Sequence, residues 1–539
     1  MTELPFVDWL AGRLHSAGTR FMYGVPGGGT SLDLIDAGAR RGVRMVLTAR
    51  EDAAVIMAGV SAVLAEAPGI AFSTKGPGLA SAANGIASAA LDRMPVLLMA
   101  ETFGPGETNY VSHQVFDQAA MVTPLLSEGG GQVLEASTRA VEDWLSRGPA
   151  PARIPAAMFA TTADLRQPVT EANAGAPSLV EEQPSPASLQ AAAQLASEAR
   201  NPVIVIGLEA ARESLEALIQ DFVERLNAPA LTTYMASGVL PHDHPNNAGT
   251  FTGGAIEQVC VGEADLIIAI GLDPVELIRK PWTYDAPILD LCEIERTPHY
   301  FTPLKRLVGD LPNILSALTA EIPAARVQST WTGARIKAHR DHFTGGLRIE
   351  NADGLSPSAV VDIAAEAFAG KPRLAVDAGA HMFSACAYWP ASKARDVLIS
   401  NGLASMGFAI PAGIAAALHD PDRGAVAMTG DGGAMMCLGE LKTAAHTCAK
   451  VCFIIFNDGR LSLIDIKREE RQMPDLGLSW ERPDFAGIAA GFGIKAWTAS
   501  DLDEMRDACR AAADHDGPTL IDAHVGSGGY FDQLKALRG

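Results

Sequence analysis

The sequence predicts an α/β protein of three domains, each a mostly parallel sheet flanked by helices, and three observations carry that expectation. Short apolar, β-branched runs recur with helix-like segments between them, a rhythm of strand, loop and helix rather than of hairpins. The apolar pattern lapses twice into Pro, Ala and polar residues, once around residues 167–186 and again over about residues 324–357, which is linker chemistry. At 539 residues and 48% hydrophobic, the chain has material for about three separate cores. The expected domains are residues 1–168, 185–323 and 357–539.

Taken in order, residues 43–49 read as a strand, Arg50 and Glu51 stand at its end, and residues 52–64 read as an apolar helix. A glutamate at such a corner either stabilises the helix start through the dipole or reaches a ligand. Glycine-rich loops lie upstream, over residues 23–29, and downstream, over residues 73–85, each after a run with strand character. The second domain opens on the strand-like residues 202–207 and continues through 264–271. The third opens with residues 373–379 and contains two further apolar runs, 424–429 and 451–456, with a helical segment, 439–446, between them.

That last group is the most informative. The first run ends in Gly430, Asp431, Gly432 and Gly433, the second in Asn457, Asp458 and Gly459. A βαβ unit releases its chain from both strands at the same sheet edge, so Asp431 and the Asn457–Asp458 corner converge on one point. Hard oxygen ligands on glycine-rich loops suit a Mg²⁺ that keeps positions for phosphate oxygens, while the glycines let backbone N–H groups approach those oxygens. A lone Gly-Asp-Gly is an ordinary pair of turn residues. The second corner at crossover distance favours a metal diphosphate site.

This pattern resembles the thiamin diphosphate signature, and nearly the whole chain resembles the acetohydroxyacid (acetolactate) synthase-like enzymes. By that resemblance Asp431 and Asp458 are side-chain metal ligands, the main-chain carbonyl of Arg460 is a third, and Gly430, Gly432 and Gly433 approach the diphosphate. The first domain corresponds to the pyrimidine-binding domain, with Val25, Pro26, Gly27, Glu51 and Pro77 on the cofactor. Glu51 then meets the aminopyrimidine, where a carboxylate favours the imino tautomer. The third domain corresponds to the diphosphate-binding domain, in which Ala380 and His381 approach the phosphates and Met406 is the apolar wedge beneath the cofactor.

In the substrate pocket the resemblance implies Gly28, His113, Gln114, Leu463, Ile464 and Lys467. Gln114 is expected on the reacting intermediate. His113 replaces a Phe of the synthases, as either a proton shuttle or an exposed loop residue. Lys467 replaces a Trp, and either binds an anionic substrate or belongs to a solvated face. In the central domain, residues 272–276 read Leu-Asp-Pro-Val-Glu where the FAD-binding synthases carry Phe-Asp-Asp-Arg, so FAD is doubtful.

The function this implies is thiamin diphosphate- and Mg²⁺-dependent decarboxylation of a 2-oxo acid, followed by carboligation to a second carbonyl compound. A lyase that cleaves a 2-hydroxy ketone or 2-hydroxyacyl thioester without CO₂ release stays open, as does a non-catalytic cofactor-binding protein. A homodimer or homotetramer with sites at the subunit interface is expected. A formal charge of −21 without a basic cluster argues against nucleic acid or anionic membranes as partners. The N-terminus lacks a signal-peptide pattern, and no apolar run reaches membrane-spanning length, so a cytoplasmic location is expected. The odd count of seven scattered cysteines does not form a disulfide framework, and they are expected to be reduced and buried.

Overall fold

The computed structural model describes residues 3–127, 129–148, 154–170, 183–278, 280–297, 299–350 and 354–539. Most of the first expected linker, residues 171–182, lies outside them. Three six-stranded sheets are present, and every strand pairing within them is parallel. The first has the spatial order Arg44–Leu47, Phe21–Gly24, Gly69–Ser73, Val96–Glu101, Ala156–Ala160, Gln132–Leu134. The second runs Asn247–Thr250, Ala230–Thr232, Pro202–Ile206, Leu266–Ile270, Ile288–Cys292, Lys305–Val308. The third runs Val397–Ile399, Arg373–Val376, Ala425–Gly430, Val451–Asn457, Thr519–His524, Lys495–Ala499. A short antiparallel pair, Glu3–Pro5 with Pro168–Thr170, closes the first domain.

The helices that cover these sheets explain an oddity of the sequence. Glu51–Ala65 and Ala409–His419 are apolar all round, a pattern that requires burial on every side. They pack against each other, so the cores of the first and third domains merge: Val55, Ile56, Phe408, Ile410 and Ile414 belong to one buried cluster. Gly413 lets the second helix lie close on its own sheet, since a Cβ there would lie 2.9 Å from the Ala427 methyl.

Residues 324–357, expected to be a polar connection, contain the helix Gly333–Gly346. Its apolar stripe, Ile336 and Phe343 flanked by Trp331 and Leu347, is buried, but the intervening Arg, Lys and His residues mask it in the sequence. Phe343 fits beneath Gly249, whose φ of +117° and missing Cβ leave room for the ring. The seven cysteines are free, and Cys448, which ends a helix in the left-handed conformation, is exposed rather than buried. No helix among the described residues is long and apolar enough to cross a membrane.

Buried polar contacts tie the domains together. Asp92 accepts from the Ser400 hydroxyl at 2.6 Å and the Gly402 amide at 2.7 Å, joining first to third. Arg93 pairs with Asp273 of the second domain at 2.9 Å, both nearly fully buried, and Arg296 shares that carboxylate at 2.6 Å. Glu440 accepts from the Ala49 and Arg50 amides, both at 3.0 Å.

Burial drives these carboxylates upward: Asp92 to about 6, Glu440 to about 7, and Glu276, deep in the second domain, to about 8. A folded-state value above the ordinary one means the fold binds protons that the unfolded chain has released. The contribution is therefore complete below the ordinary carboxylate values of 3.8 and 4.5 and is lost as pH rises toward about 8. The thermal midpoint is expected to fall between about pH 5 and about pH 9. The permanently neutral Glu276→Gln variant is expected to flatten that slope in parallel melting curves. An unchanged slope would refute the role given to Glu276.

Candidate active site

The third-domain half of the site begins with strand register. Gly430 pairs with Phe456, so the adjacent strands Ala425–Gly430 and Val451–Asn457 end level and deliver Asp431 and Asp458 to the same edge. Asp431 is buried and spans both corners, accepting from its neighbour Gly432 at 2.7 Å and from the Gly459 amide at 2.8 Å. Asp458 accepts from the Arg460 amide at 3.2 Å and from the Ser462 hydroxyl. Burial and the Asp458 charge push Asp431 up to about 6, and burial raises Asp458 as well. Two crowded, desolvated carboxylates are the donor set that a small divalent cation relieves. Among the described residues no group of three or more His, Cys, Asp or Glu side chains forms a metal cluster.

Asp377 organises this half. It is buried at the end of the strand Arg373–Val376 and accepts from Gly407 N–H at 2.9 Å, Ala409 N–H at 2.6 Å and the Thr429 hydroxyl at 2.6 Å. It thereby binds the loop carrying Met406 to the strand that ends in Gly430. Gly433 packs against it, and a Cβ there would lie 2.1 Å from its carboxylate oxygen. Gly432 lies where Leu461, Met406 and Trp480 converge: a Cβ would come within 2.9, 3.1 and 3.8 Å of them. This is a cradle for a group that needs close backbone approach.

His381 opens the helix His381–Tyr388 after Ala380, with its ring stacked on Phe456 at 5.3 Å between centroids. Burial holds it down to about 4, so it is neutral near pH 7, and its Nε2 has no partner. The Trp480 indole Nε1 is likewise buried and unpartnered. Unsatisfied buried polar atoms beside the cradle fit a polar occupant. Leu463 is half-buried against the C-terminal helix Tyr530–Arg538, whereas Ile464 and Lys467, on the same helix Ser462–Glu470, are exposed.

In the first-domain half, Glu51 starts its helix at the end of the sheet and is half-buried. Among the described residues its carboxylate makes no hydrogen bond or ion pair. Gly78, beside Pro77 in the next loop, keeps that carboxylate open, since a Cβ there would lie 3.1 Å from it and 2.4 Å from the Thr74 hydroxyl. Gln114 adopts a left-handed φ of +62° and packs over Gly76, while both His113 and Gln114 are exposed. In the loop that carries Val25 and Pro26, Gly27 sits on Thr74, Gly29 sits on Glu101, and Gly28 has open space. Glu101 is held by Lys75 at 3.2 Å.

The strand register thus brings Asp431, Asp458, Gly430, Gly432 and Gly433 together, with Met406 beside Gly432 and His381 against Gly430. Among the described residues no hydrogen bond or ion pair joins Glu51 to that group. Asp377, Trp480 and the Lys75–Glu101 pair were not foreseen. Asp377 reads as an ordinary strand-end turn, and Trp480 belongs to no motif: it reaches the site because its amide donates to the Gly459 carbonyl at 2.8 Å.

Family models agree with this architecture. Residues 5–121 match the N-terminal TPP binding domain of thiamine pyrophosphate enzymes, residues 189–318 the central domain, and residues 377–523 the C-terminal TPP binding domain. The chain belongs to the thiamine pyrophosphate (thiamin diphosphate) enzyme family, in its acetolactate synthase-like group.

Among its relatives is an acetolactate synthase of Bacillus subtilis, 25% identical over 97% of this chain and 93% of that protein. A probable 2-ketoarginine decarboxylase of Pseudomonas aeruginosa is 28% identical over 94% of this chain and 92% of its own length. In fold the chain is similar to the thiamine diphosphate-dependent 4-hydroxybenzoylformate decarboxylase of Rhodococcus jostii, with a TM-score of 0.80, 18% identity, and coverage of 96% and 99% of the two chains.

Gly433→Ala tests the cradle. The added methyl has to displace Asp377, and with it the Gly407 and Ala409 amides, at an expected cost of about 1–3 kcal/mol. Thermal unfolding should reveal that loss, and fluorescence titration should reveal weakened thiamin diphosphate binding. A variant matching the parent in both would refute the packing described.

Proposed function

We propose that this thiamin diphosphate-dependent enzyme also requires Mg²⁺, decarboxylates a 2-oxo acid and ligates the product to a second carbonyl compound, in the manner of an acetolactate synthase. The observation that carries the proposal is Glu51, a half-buried carboxylate on the first domain with no partner among the described residues, taken together with the two crowded carboxylates of the third. Bound thiamin diphosphate supplies a carbon nucleophile for the 2-oxo group and an electron sink for loss of CO₂. Glu51 holds a proton at the pyrimidine ring nitrogen. Asp431, Asp458 and the Arg460 carbonyl hold the cation, while Gly430, Gly432, Gly433, Ala380 and His381 surround the diphosphate. Val25, Pro26, Gly27 and Pro77 position the pyrimidine, and Met406 supports the cofactor from below. Gln114 and His113, with Gly28, Leu463, Ile464 and Lys467, face the substrate.

FAD is not part of this proposal. In the central sheet the strand order reverses between Pro202–Ile206 and Leu266–Ile270, the place where dinucleotides meet free amides. Here the Glu276 carboxylate accepts the Leu208 amide at 2.8 Å and the Asp273 amide at 3.1 Å. An internal carboxyl group occupies donors that a diphosphate would use.

A homodimer or homotetramer with shared sites fits the exposed apolar side chains near both halves, among them Tyr110, Phe116, Met436 and Ile464. Sedimentation should find a dimer or tetramer, and an active monomer would contradict this. A small-molecule substrate class suits a cytoplasmic enzyme.

The deciding experiment incubates the protein, with thiamin diphosphate and Mg²⁺, against 2-oxo acids with and without carbonyl acceptors, following CO₂ and products by mass spectrometry. CO₂ with a ligated product is the expected result. Cleavage of 2-hydroxy ketones or acyl thioesters without CO₂ would replace the synthase by a lyase. Glu51→Gln should lose about 10²–10⁴-fold in rate with an unchanged melting temperature, and near-normal turnover would sink the role of Glu51.

A further inference from the structure

A cavity of about 400 Å³ lies where the three domains meet, far from the cradle. Val63 and Glu66 reach it from the first domain, Arg212 and Glu213 from the second, and Arg373, Arg395 and His419 from the third. Three of these residues are arginines, and in each the Nε–H is buried without a partner. Arg212 gives another N–H to Glu293, and Arg373, only 6% exposed, gives one to Asp420 at 3.4 Å. Arg395, held in a left-handed conformation with φ of +62°, makes no hydrogen bond or ion pair among the described residues. Glu66 and Glu213 are exposed at the margin, and neither pairs with any of the three.

Buried N–H donors on charged groups are costly to leave unmade. Burial holds Arg395 down to about 10, and burial together with the nearby Arg373 charge lowers His419. Three guanidinium groups around one small cavity match an anion that offers several acceptor oxygens at once. The cavity shares Arg373 and Glu213 with a wider cleft of about 890 Å³ that adds Lys371, Lys393, Arg423 and Lys450 together with Asp420, Asp422 and Asp514, so an occupant has a path of entry of mixed charge.

We propose that this junction is a binding site for a multiply charged oxyanion, an organic phosphate or a polycarboxylate, separate from the cofactor and substrate sites. Three elements connect it to the catalytic centre. The helix Glu51–Ala65 ends here and begins at Glu51. The strand Arg373–Val376 begins here and ends at Asp377. The helix Ala409–His419 ends here and follows the Met406 loop. An occupant therefore touches the far end of each element that positions the site. The proposal is independent of whether the enzyme is a carboligase.

The test uses the full-length protein saturated with thiamin diphosphate and Mg²⁺, which blocks phosphate at the cofactor site. Calorimetric titration with inorganic phosphate, and separately with malonate, at constant ionic strength is expected to show saturable binding. Preference for phosphate assigns an organic phosphate, and preference for malonate assigns a polycarboxylate. Arg395→Gln and Arg212→Gln should each weaken binding by about tenfold or more, the effect of losing one charge-assisted hydrogen bond. In crystals of the parent protein soaked with tungstate, an anomalous peak should lie between Arg373 and Arg395. Absence of saturation by either anion up to about 10 mM, affinity unchanged in both variants, or tungstate found only elsewhere would overturn the proposal.

Discussion

Asp377 is the contact on which the third-domain half of the site depends. A buried carboxylate is tolerated only when its oxygens are fully engaged. Here they accept two amides and a hydroxyl drawn from two separate segments, the Met406 loop and the strand that ends at Gly430. Removing it would leave the two amides buried and unsatisfied, each at about 1–3 kcal/mol, while the Thr429 hydroxyl would keep only the Gly430 carbonyl. The glycine at 433 follows from the same contact, because the carboxylate occupies the space of its Cβ. Sequence motif and buried anion are thus one feature: the Gly-Asp-Gly-Gly loop has its composition partly because Asp377 lies behind it.

The second constraint is the common core of the first and third domains. With the helices Glu51–Ala65 and Ala409–His419 buried against each other, the corner before Glu51 is pinned from behind by Glu440, which accepts the Ala49 and Arg50 amides. The pinned backbone leaves the Glu51 carboxylate beside Thr74 and Gly78 with no hydrogen-bond or ion-pair partner among the described residues. A rigid corner presenting a free carboxylate is a preorganised binding group, since its desolvation and placement are fixed at folding rather than at the encounter with a ligand. The exposed apolar side chains nearby, Tyr110, Phe116, Met436 and Ile464, suit the shared-site oligomer proposed above.

Much of this was legible in the sequence because two periodicities and one spacing rule suffice for it. Short β-branched runs alternating with helical segments gave three parallel sheets, and the crossover distance between Asp431 and Asp458 implied one sheet edge before any coordinates. What stayed hidden depends on contacts between distant segments. Asp377 sits in a strand-end turn with nothing to distinguish it. Trp480 arrives through a single main-chain bond to Gly459. The helix Gly333–Gly346 keeps a narrow apolar stripe that a surplus of basic residues obscures. Arg212, Arg373 and Arg395 come from three segments that only the folded chain assembles.

The central domain keeps the geometry of a dinucleotide crevice while filling it with its own charges. Glu276 takes the Leu208 and Asp273 amides, and Asp273 in turn receives Arg93 from the first domain and Arg296 from its own. The Asn401 amide of the third domain donates to the Glu276 carbonyl at 2.8 Å, so the same few residues meet all three domains. A ligand in that crevice would have to break this network and leave Arg93 buried without its partner, at a cost of about 3–5 kcal/mol for a split buried pair. Carboxyl groups of the chain thus line the crevice and make it a structural joint. The neighbouring three-domain junction is the contrasting case: Arg212 and Arg373 each keep a buried Nε–H without a partner, and Arg395 forms no ion pair among the described residues.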